Sequence, residues 1–384
     1  MEKFQLLFYA QEVVFEAGAL AKLGEAVERF GLQRLMLIAS PSIRAAGHVQ
    51  TVEAALGNRF VAVFDETRQH VQDVQVDEVL RLATETKVDG LIGLGGGSPI
   101  GMAKAVSYAL EERLAVKPDR LRTPTSQPIF PVVAIPTTYA GSEMTAGFGI
   151  THSREEPPRK VTVNDARVTP KLVIYDPLLT LDLPGEVTAS TGMNALAHGI
   201  EALYSRTRQP FSTALAISAI EYISGSLRRC YQNGKDLQAR TDMLAGAHLA
   251  GLSLSGVSMG LHHGICHVLG GTANIPHGIA NSIILPHAMR FNADVTADQL
   301  LPGMEALGIS VDGNGPVEIV ERGAQALADL AASMGLPQRL RQVGVKKSDL
   351  PNLAKLAFSN KTVQNNPKPV TELSQIEELL EEAW

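Results

Sequence analysis

Imidazole and amide side chains recur between residues 194 and 287 at spacings that suit a metal ion or a proton relay. Asn194 and His198 are four residues apart, as are His263 and His267, so each pair would share one face of a helix. Five of the ten histidines lie between residues 260 and 287. Neutral imidazole is the commonest protein ligand for first-row divalent metals, and it titrates near neutral pH. Burying so many imidazoles without partners is costly, so the cluster is a candidate site.

A glycine-rich turn forms a second candidate site. An apolar run at 91–94 leads into Gly95, Gly96, Gly97 and Ser98, and a helical pattern starts near residue 99. Glycines at such a junction let backbone N–H groups approach a pyrophosphate, and the helix N-terminus adds a favourable dipole. The turn matches neither GxGxxG nor the Walker A pattern, so a tight turn without a ligand is the alternative.

Short apolar runs and helical patterns alternate up to residue 184. The runs at 34–40, 60–66 and 91–94 predict buried strands, and the patterns at 43–57 and 76–87 predict helices. The alternation predicts a doubly wound α/β domain with a mostly parallel sheet over residues 1–184. Thr137, Thr138 and Ser142 follow a strand that ends at Pro136, so they should lie at the carboxyl edge of the sheet, where such folds bind ligands.

Long helical patterns with little strand signal fill the rest of the chain. STALAISAIEYISGSLRR and GAQALADLAASMG are typical examples. We therefore expect an all-helical second domain over residues 185–384.

The composition is that of an ordinary globular protein, with 45% hydrophobic and 19% charged residues. A net charge of -6 argues against a nucleic-acid partner and against a polybasic membrane-binding surface. No apolar run is long enough to span a bilayer, and the N-terminal segment is unlike a secretory signal. With only two cysteines, Cys230 and Cys266, a disulfide framework is not expected. These features predict a cytoplasmic protein that acts on a small molecule.

Five segments carry a family pattern, and they occur in the family's order. They read GGGSPIGMAKA from residue 95, IPTTYAGSEMT from 135, VIYDPLLTLDLP from 173, MNALAHGIEALYS from 193, and HHGICHVLGG with PHG from 262. Together they resemble the iron-containing alcohol dehydrogenase superfamily, which has a dehydroquinate synthase-like fold. The resemblance implies NAD(P)-dependent hydride transfer in a cleft between a nucleotide-binding domain and a helical domain, and a homodimer.

The resemblance also implies individual roles. Gly95, Gly96, Gly97, Ser98, Thr137, Thr138, Ser142 and Leu179 would bind NAD(H) or NADP(H), and Asn194, His198, His263 and His277 would hold a divalent iron or zinc ion. His267 is the candidate general acid, because the resemblance keeps it off the ion. Lys160 would lie near the reacting end of the cofactor, where it is a catalytic candidate for stabilising charge on the substrate oxygen. Tyr139 would shape the substrate pocket as a further catalytic candidate, or simply pack in the core.

Asn194 departs from the family pattern, since metal-dependent members have Asp there. An amide is a weaker and neutral ligand, so the metal would be held weakly or lost. Asn194, with Gly101 where many members have Asp, resembles the maleylacetate reductase branch, which reduces an unsaturated oxo-dicarboxylate from aromatic degradation. Gly264 differs from the Lys common in that branch, and PHGIANS is closer to the alcohol dehydrogenases.

Four alternatives follow from the sequence. The first is a maleylacetate reductase-like oxidoreductase, and the second is a metal-dependent alcohol dehydrogenase or aldehyde reductase. The third is a lyase like dehydroquinate synthase, which uses NAD without net turnover. The fourth is a non-catalytic nucleotide-binding protein. Ser40, Ser42 and Arg44 follow the first apolar run and leave the choice between NAD and NADP open.

Overall fold

The computed structural model describes residues 10–114, 128–154 and 159–384, with the side chains of Leu114, Arg159 and Lys160 outside the description. Its contacts divide the chain into two compact units, with the change from one to the other between Leu183 and Pro184. We call them the sheet unit and the helical unit.

The sheet unit contains six parallel strands. They are β1 (Glu12–Phe15), β2 (Leu35–Ile38), β3 (Phe60–Phe64), β4 (Gly90–Gly95), β5 (Val132–Pro136) and β8 (Leu172–Tyr175), paired in the order β1-β8-β5-β4-β2-β3. The helices are α1 (Leu23–Arg29), α2 (Pro41–Ala45), α3 (His48–Leu56), α4 (Asp73–Glu85) and α5 (Gly97–Leu114). A separate antiparallel hairpin joins β6 (Gly147–His152) to β7 (Arg159–Asn164).

Both faces of the parallel sheet are covered. Along β2, Leu35 and Leu37 belong to one buried apolar cluster, while Met36 and Ile38 belong to the other. Successive side chains of a strand point to opposite faces, so continuous burial of all four residues requires packing on both sides. The predicted doubly wound sheet is confirmed.

Two local features differ from the predicted elements. The helix predicted over 43–57 is broken into α2 and α3 at Gly47, whose φ of 81° lies in the left-handed region that glycine tolerates. The β6–β7 hairpin was not predicted, because Gly147 and Gly149 weaken the strand pattern of β6.

The helical unit contains no strand between residues 184 and 384, all of which the structure describes. Its helices are α6 (Gly185–Tyr204), α7 (Pro210–Gln232), α8 (Leu237–Ser255), α9 (Leu261–Thr272), α10 (His277–Ala306), α11 (Pro316–Ser333), α12 (Leu350–Phe358), α13 (Lys361–Gln364) and α14 (Leu373–Ala383). The all-helical second half is therefore confirmed. Across the described residues, no helix combines the length and apolarity needed to cross a bilayer.

The central helix of this unit is α6, which is buried on all sides from Gly192 to Tyr204. Gly192 and Gly199 allow this burial, because a Cβ at either position would meet side-chain atoms of α7 at about 2.3 and 3.1 Å. The polar residues Asn194, His198 and Glu201 are thereby held inside an otherwise apolar helix bundle.

Candidate active site

Three helices of the helical unit bring the predicted imidazoles together. His198 comes from α6, His263 and His267 come from α9, and His277 is the first residue of α10. The ring centre of His263 lies 5.1 Å from that of His198 and 5.9 Å from that of His277. Asn194 lies one turn before His198 on the same helix and is 3% exposed. The sequence spacing thus pointed to side chains that do form one group.

Two ring nitrogens in this group are buried without a hydrogen-bond partner among the described residues. They are Nδ1 of His198 and Nε2 of His263. Burial lowers the pKa of both imidazoles, to well below the ordinary value for His198, so both rings are neutral at pH 7. A neutral imidazole nitrogen whose lone pair accepts no hydrogen bond can bind a divalent metal ion.

The donor set fits a divalent cation of the iron or zinc type. Three imidazoles and one amide oxygen give a mixed nitrogen and oxygen shell without a charged ligand. The unpartnered nitrogens of His198 and His263 carry this conclusion, because a buried polar atom without a partner destabilises the fold unless a ligand satisfies it.

Glu201 was not identified from the sequence, and it organises this site. Its Oε2 forms a short hydrogen bond with Nδ1 of His263 and lies 3.6 Å from Nδ1 of His262. Its Oε1 accepts a hydrogen bond from the Gly260 backbone N–H at 2.8 Å. The signal that could have revealed it is an acid three residues after His198 in an apolar helix.

The charge of Glu201 fixes the orientation of His263. Burial tends to raise the carboxyl pKa, but His263 and His262 outweigh it and hold the pKa well below its usual range. The carboxylate therefore accepts the Nδ1–H of His263, which leaves Nε2 as the available lone pair. A carboxylate behind a ligating histidine is a recurrent arrangement around metal ions.

Glu201, His262 and His263 also form a compact group whose ligand atoms lie within 4.8 Å of one another. Glu201 and His263 are in direct hydrogen-bond contact, which leaves no room for an ion between them. Burial opposes charge on His262, but Cys266 and Glu201 raise its pKa to about 10. Its Nε2 lies 3.3 Å from the Asn281 carbonyl oxygen, which accepts from it. We infer that Glu201 and His262 orient His263 and do not themselves hold an ion with it.

His267 lies at the edge of the imidazole group. It is half-buried, whereas His262 and His263 are fully buried, and its ring centre is 5.6 Å from that of His277. This position is compatible with proton transfer to a bound molecule, and its role as general acid stays a prediction.

In the sheet unit, the glycine turn lies beside the segment that follows β5. The Thr137 N–H donates to the Gly95 carbonyl at 3.0 Å, and a Cβ on Gly96 would lie 3.1 Å from Thr138 Oγ1. Gly95 has a φ of 134°, which only glycine adopts readily. The turn opens α5 at the carboxyl end of β4, which pairs with β5. Both segments therefore line the edge where parallel sheets bind ligands.

The Thr138 hydroxyl at this edge lacks a partner within the described part of the chain. Thr138 Oγ1 is buried and forms no hydrogen bond there. Ser98 lies in the first turn of α5, and Ser142 begins the short 3-10 turn Ser142–Met144. Backbone N–H groups and hydroxyls at a helix N-terminus suit a phosphate.

The remaining predicted residues are placed differently. Leu179 lies in the 3-10 turn Pro177–Thr180 and is 8% exposed, within the apolar cluster on one face of the sheet. Tyr139 is completely buried, as a residue of the core would be. The side chain of Lys160 lies outside the described residues, although its backbone belongs to β7. The roles of these three residues stay predictions.

Comparison with known proteins identifies the family. Residues 10–177 match the model of the iron-containing alcohol dehydrogenases, and residues 188–384 match that of the C-terminal part of the Fe-containing alcohol dehydrogenase family. A maleylacetate reductase of Pseudomonas knackmussii is 37% identical over 354 residues, 92% of this chain and 91% of that protein. The lactaldehyde reductase of Escherichia coli is 34% identical over 96% of this chain and 97% of its own.

A solved structure agrees with these sequence relatives. The maleylacetate reductase from Agrobacterium tumefaciens superposes with a TM-score of 0.84 at 31% identity, covering 100% of this chain and 99% of that one. Both halves of the chain thus match one family, in sequence and in fold. The chain belongs to the iron-containing alcohol dehydrogenase family.

Proposed function

We propose that this oxidoreductase uses NADH or NADPH to reduce maleylacetate or a closely similar unsaturated oxo-dicarboxylate. The observation that carries the proposal is the 37% identity to a maleylacetate reductase over more than nine-tenths of both chains. Asn194, in place of an acidic metal ligand, supports the same assignment. Aromatic compound degradation is the corresponding source of the substrate.

In this proposal the two units bind different molecules, the cofactor and the substrate. Residues 1–184 bind the dinucleotide, with its pyrophosphate at Gly95–Ser98 and its remaining contacts from Thr137, Thr138, Ser142 and Leu179. The unpartnered Oγ1 of Thr138 supports this placement, because a buried hydroxyl is stabilised by a ligand. Residues 185–384 supply the imidazoles and bind the substrate.

Cofactor preference follows from the end of β2. Arg44 forms an ion pair with Asp65, and the Ser40 and Ser42 hydroxyl oxygens lie 3.0 Å apart. Position 40 is Ser and not an acidic residue, so it does not repel the 2′-phosphate of NADPH. Arg44 is already paired with Asp65, so its charge does not strongly favour that phosphate. We therefore propose that both NADH and NADPH are used.

The reaction adds a hydride to an electron-poor carbon conjugated with a carbonyl group. The electron pair of the double bond moves toward the carbonyl oxygen, and a proton completes the saturated product. His267 is the proposed proton donor. A divalent ion held by Asn194, His198, His263 and His277 would stabilise negative charge on the substrate oxygen when bound. Glu201 keeps His263 in the orientation that such a site requires.

A steady-state comparison tests the proposal. The absorbance of the reduced cofactor follows oxidation of NADH and NADPH by maleylacetate and short aldehydes, and reduction of NAD+ and NADP+ by short alcohols, with and without added metal. We expect kcat/KM to be highest for maleylacetate. Turnover of aldehydes or alcohols alone would contradict the substrate assignment, and absence of any net cofactor turnover would favour a lyase.

A second candidate function is a metal-dependent alcohol dehydrogenase or aldehyde reductase. The unpartnered nitrogens of His198 and His263 favour it, as does the 34% identity to a lactaldehyde reductase. Metal analysis of protein purified without chelator separates the two functions. Stoichiometric iron or zinc, with activity lost on chelation, supports the metal-dependent dehydrogenase.

We also propose that the protein is a cytoplasmic homodimer with no nucleic-acid or membrane partner. The net charge of -6 supports the exclusion of nucleic acid. Light scattering coupled to size-exclusion chromatography tests the dimer, and a tagged protein expressed in its own host tests the location.

A further inference from the structure

Lys104 is a fully buried lysine on α5, the helix that begins at the glycine turn. Its side chain has no exposed surface. Its Nζ donates to the carbonyl oxygens of Ser142, Thr145 and Gly147, at 2.8 Å for Thr145 and 3.1 Å for Gly147. The Thr145 hydroxyl oxygen lies 3.2 Å from the same Nζ. An ammonium removed from water is stabilised by such a cage of oxygens.

These oxygens belong to residues 137–147, which connect β5 to β6 and include the first residue of β6; we call this segment the 137–147 loop. The same loop carries Thr137, Thr138 and Ser142, which our proposed function places against the dinucleotide. Its first residues already contact the glycine turn, through the Thr137 N–H and the close approach of Thr138 to Gly96. Farther along the loop, the hydrogen bonds of Lys104 join Ser142, Thr145 and Gly147 to α5.

A second set of contacts holds the loop to β8 and to Gln11. Glu143 is 1% exposed, and its Oε1 accepts a hydrogen bond from the Tyr175 hydroxyl at 2.8 Å. The Gln11 side chain donates to the Glu143 carbonyl oxygen at 3.0 Å. Burial lowers the pKa of Lys104 to about 7, although Glu143 raises it. The loop is therefore tied to β8 and to α5 by buried polar groups, which is more than a surface connection needs.

We propose that Lys104 is a positioning residue for the dinucleotide, which locks the 137–147 loop to the helix whose N-terminus receives the pyrophosphate. The inference rests on the proposed cofactor site. It assigns to Lys104 no contact with the cofactor itself. Its effect is to fix the spacing between two segments that contact different parts of the same ligand, so that neither has to be ordered on binding.

Titration of the full-length protein with NADH, followed by the fluorescence of the reduced nicotinamide, tests this inference. Lys104→Met keeps the length of the side chain and removes its donors and charge. We expect its Kd for NADH to rise at least about tenfold, with the KM for the carbonyl substrate changed less than about twofold. Val27→Ala is the matched control, because it removes buried methyl groups from α1 in the same unit, away from the loop.

The control separates positioning from general destabilisation. The melting temperatures of Lys104→Met and Val27→Ala are measured alongside their Kd values for NADH. If the two variants have similar melting temperatures and Lys104→Met raises the Kd no more than Val27→Ala does, the inference is overturned. If Lys104→Met does not fold, Thr145→Val decides, because it removes one oxygen of the cage. A Kd raised about threefold or more supports the inference, and an unchanged Kd overturns it. Failure of the wild-type protein to bind NADH and NADPH would overturn the proposed function as well.

Discussion

At the scale of single residues, the affinity of the site for a divalent metal ion depends on the side-chain amide of Asn194. In the proposed metal site, Asn194 would contribute a neutral oxygen where a carboxylate would add a full negative charge beside three imidazoles. We predict that Asn194→Asp binds Zn²⁺ or Co²⁺ about tenfold more tightly or better, since the added charge lies within reach of the ion. Isothermal titration of metal-free protein measures this change. Asn233→Asp, at the exposed end of α7, serves as control. Equal metal affinities of Asn194→Asp and the wild-type protein would show that residue 194 is not a ligand.

Glu201 gives a second prediction at this scale. Glu201→Gln removes the charge that orients His263 while keeping the size of the side chain. We expect Co²⁺ affinity to fall by about 10- to 100-fold and the visible spectrum of the bound ion to change, as for other carboxylates behind ligating histidines. Glu143→Gln replaces an equally buried carboxylate in the sheet unit and should leave both readouts unchanged. An unaltered Co²⁺ spectrum in Glu201→Gln would contradict the role.

The contrast between His263 and Glu201 shows how far the sequence predicts the site. His198, His263 and His277 were identified because imidazole is a rare residue type whose clustering is visible along the chain. Glu201 was missed because its function depends on the packing of α6 against α9, which brings together residues 62 positions apart. A single Glu in a helix is ordinarily a solvated residue, and its complete burial is a property of the fold.

At the scale of elements, the position of α9 depends on a glycine. A Cβ on Gly264 would lie 2.9 Å from the backbone nitrogen of Val363 in α13 and 2.5 Å from its Cγ2. We predict that Gly264→Ala destabilises the protein by about 1–3 kcal/mol, measured by urea unfolding. The added Cβ would force the backbone of α13 to shift, which costs more free energy than the rotation of a side chain. Gly225→Ala, on α7, meets no atom within 4 Å and should stabilise by up to about 1 kcal/mol. Equal effects of the two substitutions would refute the close packing.

The same contact explains a departure from the maleylacetate reductase pattern. A lysine at position 264 would have to displace α13, so the side chain common in that branch cannot be added here without rearrangement. Elements whose apolar runs are continuous, such as β2 and β4, were predicted well, because burial on both faces leaves a strong local pattern. The break at Gly47 and the β6–β7 hairpin were not predicted. A glycine in a helical pattern is tolerated, and Gly147 and Gly149 weaken the strand pattern of β6.

At the scale of the whole molecule, buried neutral imidazoles make stability depend on pH. Burial lowers the pKa of His248, on α8, to about 4, and it lowers that of His287, on α10, to about 4 as well. In the unfolded chain both groups titrate near the ordinary value of 6.5, so between pH 6.5 and 4 the unfolded state binds more protons. The contribution of these two groups to the free energy of unfolding is therefore fully present above pH 6.5 and is lost as the pH falls toward 4.

His248 allows this dependence to be measured without disturbing the imidazole group on α6, α9 and α10. His248→Gln keeps a polar side chain and cannot take up a proton. Its free energy of unfolding should decline less between pH 7 and pH 4 than that of the wild-type protein, by about 3 kcal/mol at most. Urea unfolding followed by circular dichroism at several pH values gives the comparison. Parallel curves for the two proteins would mean that His248 is not held neutral by the fold, and that the acid sensitivity comes from other groups.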